Sequence, residues 1–203
     1  MHPNRAFRSE PHDRNVAFAR ARGFGVLTVN GADGPLASHV PFLLSEDGTL
    51  LETHLVRSTP LARSLPAPAL MAVAGPDGYI SPDWYGVPDQ VPTWNYVAVH
   101  LRGTLEAAPP DTLRDLLDRQ SALFEAGLAP KPPWTTAKMP EAAMERLMRA
   151  IVPCRMRVAD VDGTWKLSQN KPPAARLGAA AGLDLAGPEA RMLADLMRAL
   201  SDT

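Results

Sequence analysis

Alternation of apolar and polar residues dominates the first half of the chain. FGVLTVN at 24–30, PLASHVPFLL at 35–44 and TLLETHL at 49–55 each carry a strand-length pattern, and NGADG at 30–34 and SEDG at 45–48 punctuate them. Asn, Asp and Gly tolerate positive φ, so these are turn signals, and the simplest reading is an antiparallel meander. ALMAVAG at 69–75 predicts a buried strand that YIS at 79–81 continues; TWNYVAVHLRGTLEA at 93–107 is the longest β-type run, and VPCRMRVADVDG at 152–163 alternates as a last strand. Helical patterns occupy 11–22 (apolar side Val16, Phe18 and Ala19, stopped by Gly23), 58–65, 110–126, 140–150, about 173–182 and 188–201. Ser58 or Thr59 could cap the short helix at 58–65. Six or seven short strands with helices at the edge predict a mainly β, α+β fold: a small barrel with peripheral helices.

Composition narrows the function classes. The chain has 203 residues, 45% of them hydrophobic, enough for a full core, while 21 Pro and 14 Gly argue against a long helical bundle. Its net charge is -1, with no basic excess of the kind direct DNA binding usually shows. Cys154 is the sole cysteine, so no internal disulfide forms; a small buried apolar role is expected for it. The polar start MHPNRAFRSEPHDRN has no signal-like apolar stretch, and no apolar run reaches the roughly 20 residues of a membrane span, so a cytoplasmic location is expected. GxSxG, Walker A, GxGxxG and HExxH patterns are absent. The five histidines (His2, His12, His39, His54 and His100) are scattered without metal-ligand spacing, and no metal site is expected.

The remaining candidates are polar residues set in strong strand or loop contexts. Ser38 and His39 are adjacent in a strand, so only one can face the core. Arg57-Ser58-Thr59 brings a guanidinium, two hydroxyls and a helix start together, which suits a phosphate, or is a capped helix beside an exposed Arg. Trp84, Tyr85, Trp94 and Tyr96 cluster around a Pro-rich loop at 82–92, where they can stack on a flat ligand or pack a core or interface. Trp165-Lys166-Leu167-Ser168-Gln169-Asn170 is either a solvated loop or part of a site.

FGVLTVNGADGPLASHVPFLL, GTLLETHLVRSTP, GYISPDWY, VPTWNYVAVHLRG and WKLSQNK, in this order, resemble the PaiB-like FMN-binding negative transcriptional regulators over roughly residues 3–183. The opening MHPNRAF departs from that family's Tyr-rich start. The resemblance implies one FMN-binding split-barrel domain over 1–183, of the pyridoxamine-phosphate-oxidase type, and a C-terminal helical extension over 184–203. It implies a homodimer with FMN at the subunit interface. Ser38, His39, Thr53 and His54 would line the isoalloxazine or ribityl side, and Arg57 and Ser58 would hold the phosphate. Trp94 and Asn95 would lie near the ring, and Lys166, Ser168, Gln169 and Asn170 would approach from the other subunit. Three functions remain open: a flavin-binding negative regulator of transcription, with DNA contact weakly supported; an FMN-dependent oxidoreductase of the flavin-reductase or haem-degrading kind; or flavin storage or sensing without turnover.

Overall fold

The computed structural model describes residues 1–200. Six strands follow the expected order: β1 (Phe24–Gly31), β2 (Gly34–Leu44), β3 (Leu50–Val56), β4 (Ala67–Ile80), β5 (Thr93–Ala107) and β6 (Ile151–Lys166). Six helices accompany them: α1 (His12–Arg22), α2 (Pro60–Arg63), α3 (Leu113–Ala126), α4 (Glu141–Met148), α5 (Pro173–Leu183) and α6 (Pro188–Arg198). The strands close in the order β1-β2-β3-β6-β5-β4, the small barrel that the alternation predicted and of the split type that the family resemblance implied. Three of the strands are not short. The runs at 69–75 and 79–81 are one strand of 14 residues, and the last strand passes through Trp165 to Lys166. The helix read over 188–201 ends at Arg198, and position 201 lies outside the described residues.

The chain divides into two compact units. Val16–Val73 and His100–Val161 form a barrel unit; Met1–Asn15, Ala74–Val99 and the described residues 162–200 form a terminal unit.

In the barrel unit the β1–β2 hairpin pairs Asn30 with Pro35 and Gly31 with Gly34 across a two-residue turn. The next turn is tied by its own side chains. Asp47 Oδ1 accepts from Ser45 Oγ at 2.6 Å, from Thr49 N at 3.0 Å and from Thr49 Oγ1 at 2.8 Å. These hydrogen bonds, the one from Ser45 first, lower the Asp47 carboxyl to about 2. Gly48 follows at φ +74°, where a Cβ would also meet Val16 Cγ2 at 2.6 Å, so only glycine suits the position. Alternate residues of the strands fill the interior: Leu27 and Val29, Val40 and Phe42, Leu51 and Leu55, Met71 and Val73, Leu101 and Leu105, and Cys154 with Met156 are all buried. Cys154 is thus the small buried residue expected, and burial pushes its thiol up to about 12.

In the terminal unit α5 and α6 pack as a helical pair. Ala175, Ala179, Ala180 and Leu183 of one helix and Ala190, Leu193, Ala194 and Met197 of the other are buried. The small residues of α5 make room for Trp84: a Cβ on Gly182 would lie 2.2 Å from its indole, and one on Gly178 would lie 2.4 Å from its carbonyl oxygen. Trp84 is thereby packing, half-buried against a helix.

Candidate functional site

The barrel unit carries the first group of candidates. Along β2 the core-facing positions are Leu36, Ser38, Val40, Phe42 and Leu44, so Ser38 takes the inward side and is half-buried, while His39 is exposed. The His39 ring stacks near Phe24, with centroids 6.4 Å apart. β3 repeats the division. Thr53 points into the barrel, is fully buried, and donates through Oγ1 to the Pro41 carbonyl at 2.6 Å. His54 faces outward and is half-buried. Burial lowers the His54 pKa, and a hydrogen bond with Gln120 of α3 partly offsets that. Ser38 and Thr53 therefore share one face of the sheet and His39 and His54 the other.

At the end of β3 the chain turns into α2. That helix spans only Pro60–Arg63, shorter than the 58–65 expected, and Thr59 caps it by accepting from Ala62 N at 3.3 Å. One turn has little dipole, so anion binding here must rest on side chains. They are present. A pocket of about 630 Å³ is lined by Val56, Arg57, Ser58, Arg63, Arg149 and Ala150, three of them arginines and none a carboxylate. Arg57 Nε donates to the Arg149 carbonyl at 3.1 Å and Nη2 to the Ile151 carbonyl at 2.9 Å. These bonds fix the guanidinium while leaving its other N–H groups unused by them. Among the described residues none of these three guanidiniums is in an ion pair, and beside a serine hydroxyl they form a donor set that fits a phosphomonoester. Arg63 and Arg149 escaped the sequence reading. Arg63 lies six positions past Arg57, but Arg149 follows α4 and nothing local marks it.

The second group lies in the terminal unit. Asn95 and Ser168 are buried; Asn95 Nδ2 donates to Ser168 Oγ at 2.8 Å, and Tyr85 Oη lies 3.1 Å from the same oxygen. Met197 Sδ of α6 is 3.6 Å from Asn95 Nδ2. Ser168 has φ +61°, a left-handed conformation costly for a residue with a Cβ, and its two hydrogen bonds help hold it there. Gln169 is engaged with backbone: its Oε1 accepts from Leu167 N at 2.8 Å, and its Nε2 donates to the carbonyls of Trp165 at 2.6 Å and Ala6 at 3.0 Å. Asn170 is exposed. Trp94 is exposed but oriented, donating through Nε1 to Asp77 at 2.7 Å with Tyr79 against its edge. Lys166 donates to Thr93 Oγ1 and, at 2.8 Å, to the Trp94 carbonyl. Its pKa is lowered by burial and by the neighbouring Lys171.

Among the described residues no helix is long and apolar enough to cross a membrane, and no group of three or more His, Cys, Asp or Glu converges on a possible metal position. Residues 1–160 match a family model described as "Putative FMN-binding domain". The chain is 30% identical over 158 residues to the Protease synthase and sporulation protein PAI 2 of Bacillus subtilis, covering 76% of this chain and 75% of that protein. Among solved structures, a FAD and heme binding protein from Mycobacterium smegmatis has a TM-score of 0.56 at 19% identity, covering 79% of this chain and 73% of the other. A flavocytochrome from Azotobacter vinelandii has a TM-score of 0.56 at 14% identity, covering 81% and 72%. At these identities the solved structures speak for the barrel fold alone; on the family match and the likeness to PAI 2, the chain belongs to the PaiB-like family of FMN-binding split-barrel proteins, with FMN as its cofactor.

Proposed function

We propose that the chain acts as a cytoplasmic homodimer of the PaiB-like type, a negative regulator whose output depends on bound FMN. The observation that carries the flavin assignment to particular residues is the pocket at Arg57, Ser58, Arg63 and Arg149, which offers guanidiniums and a hydroxyl to the FMN phosphate. His39 and His54, on the outer face of the sheet, then serve the ring and ribityl side, while Ser38 and Thr53 face into the barrel, where Thr53 ties β3 to β2. Trp94, Lys166 and Asn170 reach the ring from a second copy. Asn95, Ser168 and Gln169 hold that segment in place through the Asn95 amide nitrogen, the Ser168 hydroxyl and both ends of the Gln169 amide, all bonded within the terminal unit. The candidates fall into two groups, one in each unit, as expected when each FMN draws on two copies.

Regulation through a ligand or another protein fits better than direct DNA contact. The arginines of α3 are matched by carboxylates: Arg114 pairs with Asp118 and Glu141, and Arg119 with Asp115 and Glu52. Such a surface has no unbalanced positive charge to set against phosphates.

Oxidoreductase activity is the second reading, and Lys166 favours it. It donates to neutral oxygens, those of Thr93 and the Trp94 carbonyl, so its positive charge is available to stabilise negative charge on a reduced flavin. FMN, when bound, supplies one- or two-electron transfer to such a reaction.

The test is a visible absorption spectrum of the purified full chain before and after adding FMN. A bound-flavin spectrum, with quenched flavin fluorescence, is expected. FMN left unchanged at tens of micromolar refutes the assignment. Bleaching by NADH or NADPH with turnover then selects the enzyme, and salt-dependent retardation of promoter DNA selects a direct DNA-binding regulator.

A further inference from the structure

Beyond the arginine pocket, the terminal unit holds a second, smaller cavity of about 230 Å³. Lys166, Lys171, Asn170, Tyr85 and Phe7 are in its lining, with Gln90 at the side. The chain has only four lysines (Lys131, Lys138, Lys166 and Lys171), and two of them meet here.

The pocket sets two ammonium groups against one carboxylate, that of Asp89. Lys171 donates to Gln90 Oε1, an amide oxygen, and its ammonium lies 5.3 Å from the centroid of the Tyr85 ring. Lys166 donates to a hydroxyl and a backbone carbonyl, and its ammonium lies 6.0 Å from the Phe7 ring centroid. Among the described residues neither lysine is in an ion pair, and the single carboxylate in the lining, Asp89, belongs to an exposed residue. An ammonium donates three hydrogen bonds, so these contacts leave donors on both lysines. Two partly enclosed ammonium groups held only by neutral partners repel each other and carry a desolvation cost, which an anion placed between them would relieve. The rings can flank such an anion but cannot neutralise the lysines, since cation–π attraction is weaker than an ion pair in an enclosed site.

Size selects the class of anion. The cavity is below the roughly 300 Å³ at which ordinary small-molecule pockets begin, and is too small for a mononucleotide. We propose that this pocket binds a small dianion, an inorganic or small organic phosphate or a short dicarboxylate, through Lys166 and Lys171 with Asn170 at the rim. The site does not require FMN. The same phosphate chemistry could also be delivered by the cofactor itself, and the experiment separates the two sources.

The full chain, with its lysines carrying carbon-13 at Cε, is titrated with inorganic phosphate and with malonate, at constant ionic strength set with chloride. Two of the four lysine signals are expected to shift saturably, while those of Lys131 and Lys138 stay still. Lys171→Gln should weaken the response about tenfold or more, the value of one charge-assisted contact. Gln90→Glu, which sets a carboxylate against Lys171 without removing a lysine, should weaken it similarly and keeps the test valid if the first variant folds poorly. Four signals drifting together, or none moving, overturns the proposal. The titration is repeated on riboflavin-loaded and FMN-loaded protein. A response that survives with riboflavin but is lost with FMN assigns the pocket to the cofactor's phosphate and overturns a separate site. A response retained with both supports it. Neither result depends on whether the arginine pocket holds FMN, which the absorption spectrum reads independently.

Discussion

Arg57→Ala is the substitution in which structure and function separate most clearly. The side chain has two roles. It donates to the carbonyls of Arg149 and Ile151, joining the end of β3 to the segment that enters β6, and it lines the phosphate pocket. Arg57 is exposed, so each bond to backbone counts at about 0.5–1 kcal/mol rather than the larger value of a buried charged bond. Together they come to about 1–2 kcal/mol, a melting-temperature loss of about 2–8 °C for a chain of this size. The phosphate contact is a charge-assisted pair worth about 1.5–3 kcal/mol, or about 10- to 150-fold in the FMN dissociation constant. Riboflavin has the same ring and ribityl chain without the phosphate, so its affinity should change by less than about threefold. The assay is quenching of flavin fluorescence by wild type, Arg57→Ala and Arg57→Lys, with both ligands and parallel thermal melts. Arg57→Lys keeps the charge but loses the planar fork, and should fall between the other two. An unchanged ratio of FMN to riboflavin affinity, alongside a lower melting temperature, would refute the phosphate role and leave Arg57 as a structural clasp.

Three further predictions concern the scaffold. His54 has its pKa lowered below 6.5, chiefly by burial, so the unfolded chain takes up a proton before the native one does; stability should fall as pH drops from about 6.5 through the lowered native value, and His54→Gln should flatten that slope in melts between pH 7.5 and 5. Gly103→Ala would place a Cβ 1.9 Å from the Arg157 carbonyl oxygen, and a backbone atom cannot swing away, so a loss of about 2–3 kcal/mol or more is expected in denaturant unfolding; an unaffected midpoint would show that β5 and β6 do not pack this closely. Asn95→Ala removes a fully buried amide bonded to Ser168 and leaves a cavity near Met197, for about 2–3 kcal/mol in the same assay, while Asn95→Asp should destabilise further by burying a charge; either variant matching wild type would contradict the buried network.

The elements themselves were legible because they depend on local pattern. Period-2 alternation marked β1 to β3, and the NGADG and SEDG runs marked their turns, since a residue's backbone preference is an intrinsic property. Less legible were element lengths. Gly75 and Pro76 read as a break after residue 75, yet β4 continues through them, both residues buried, because tertiary pairing overrides local propensity. The motif residues of the site could be read by resemblance, but their duties could not. Thr53, Asn95, Ser168 and Gln169 all sit in motifs, and only the folded chain reveals that the Thr53 and Ser168 hydroxyls, the Asn95 amide nitrogen and the Gln169 amide are committed to internal partners.

By itself, then, the sequence determined the barrel class, the order of the elements and the motif that ends in Arg57, because hydrophobic periodicity and turn chemistry act over a few residues. Only the tertiary structure decided which cations share a pocket. Arg149 joins Arg57 across 92 positions of chain, and Lys171 meets Gln90 across 81. Ion and hydrogen-bond energies depend on distance in space and on exclusion of water, and neither quantity is encoded in local spacing along the chain.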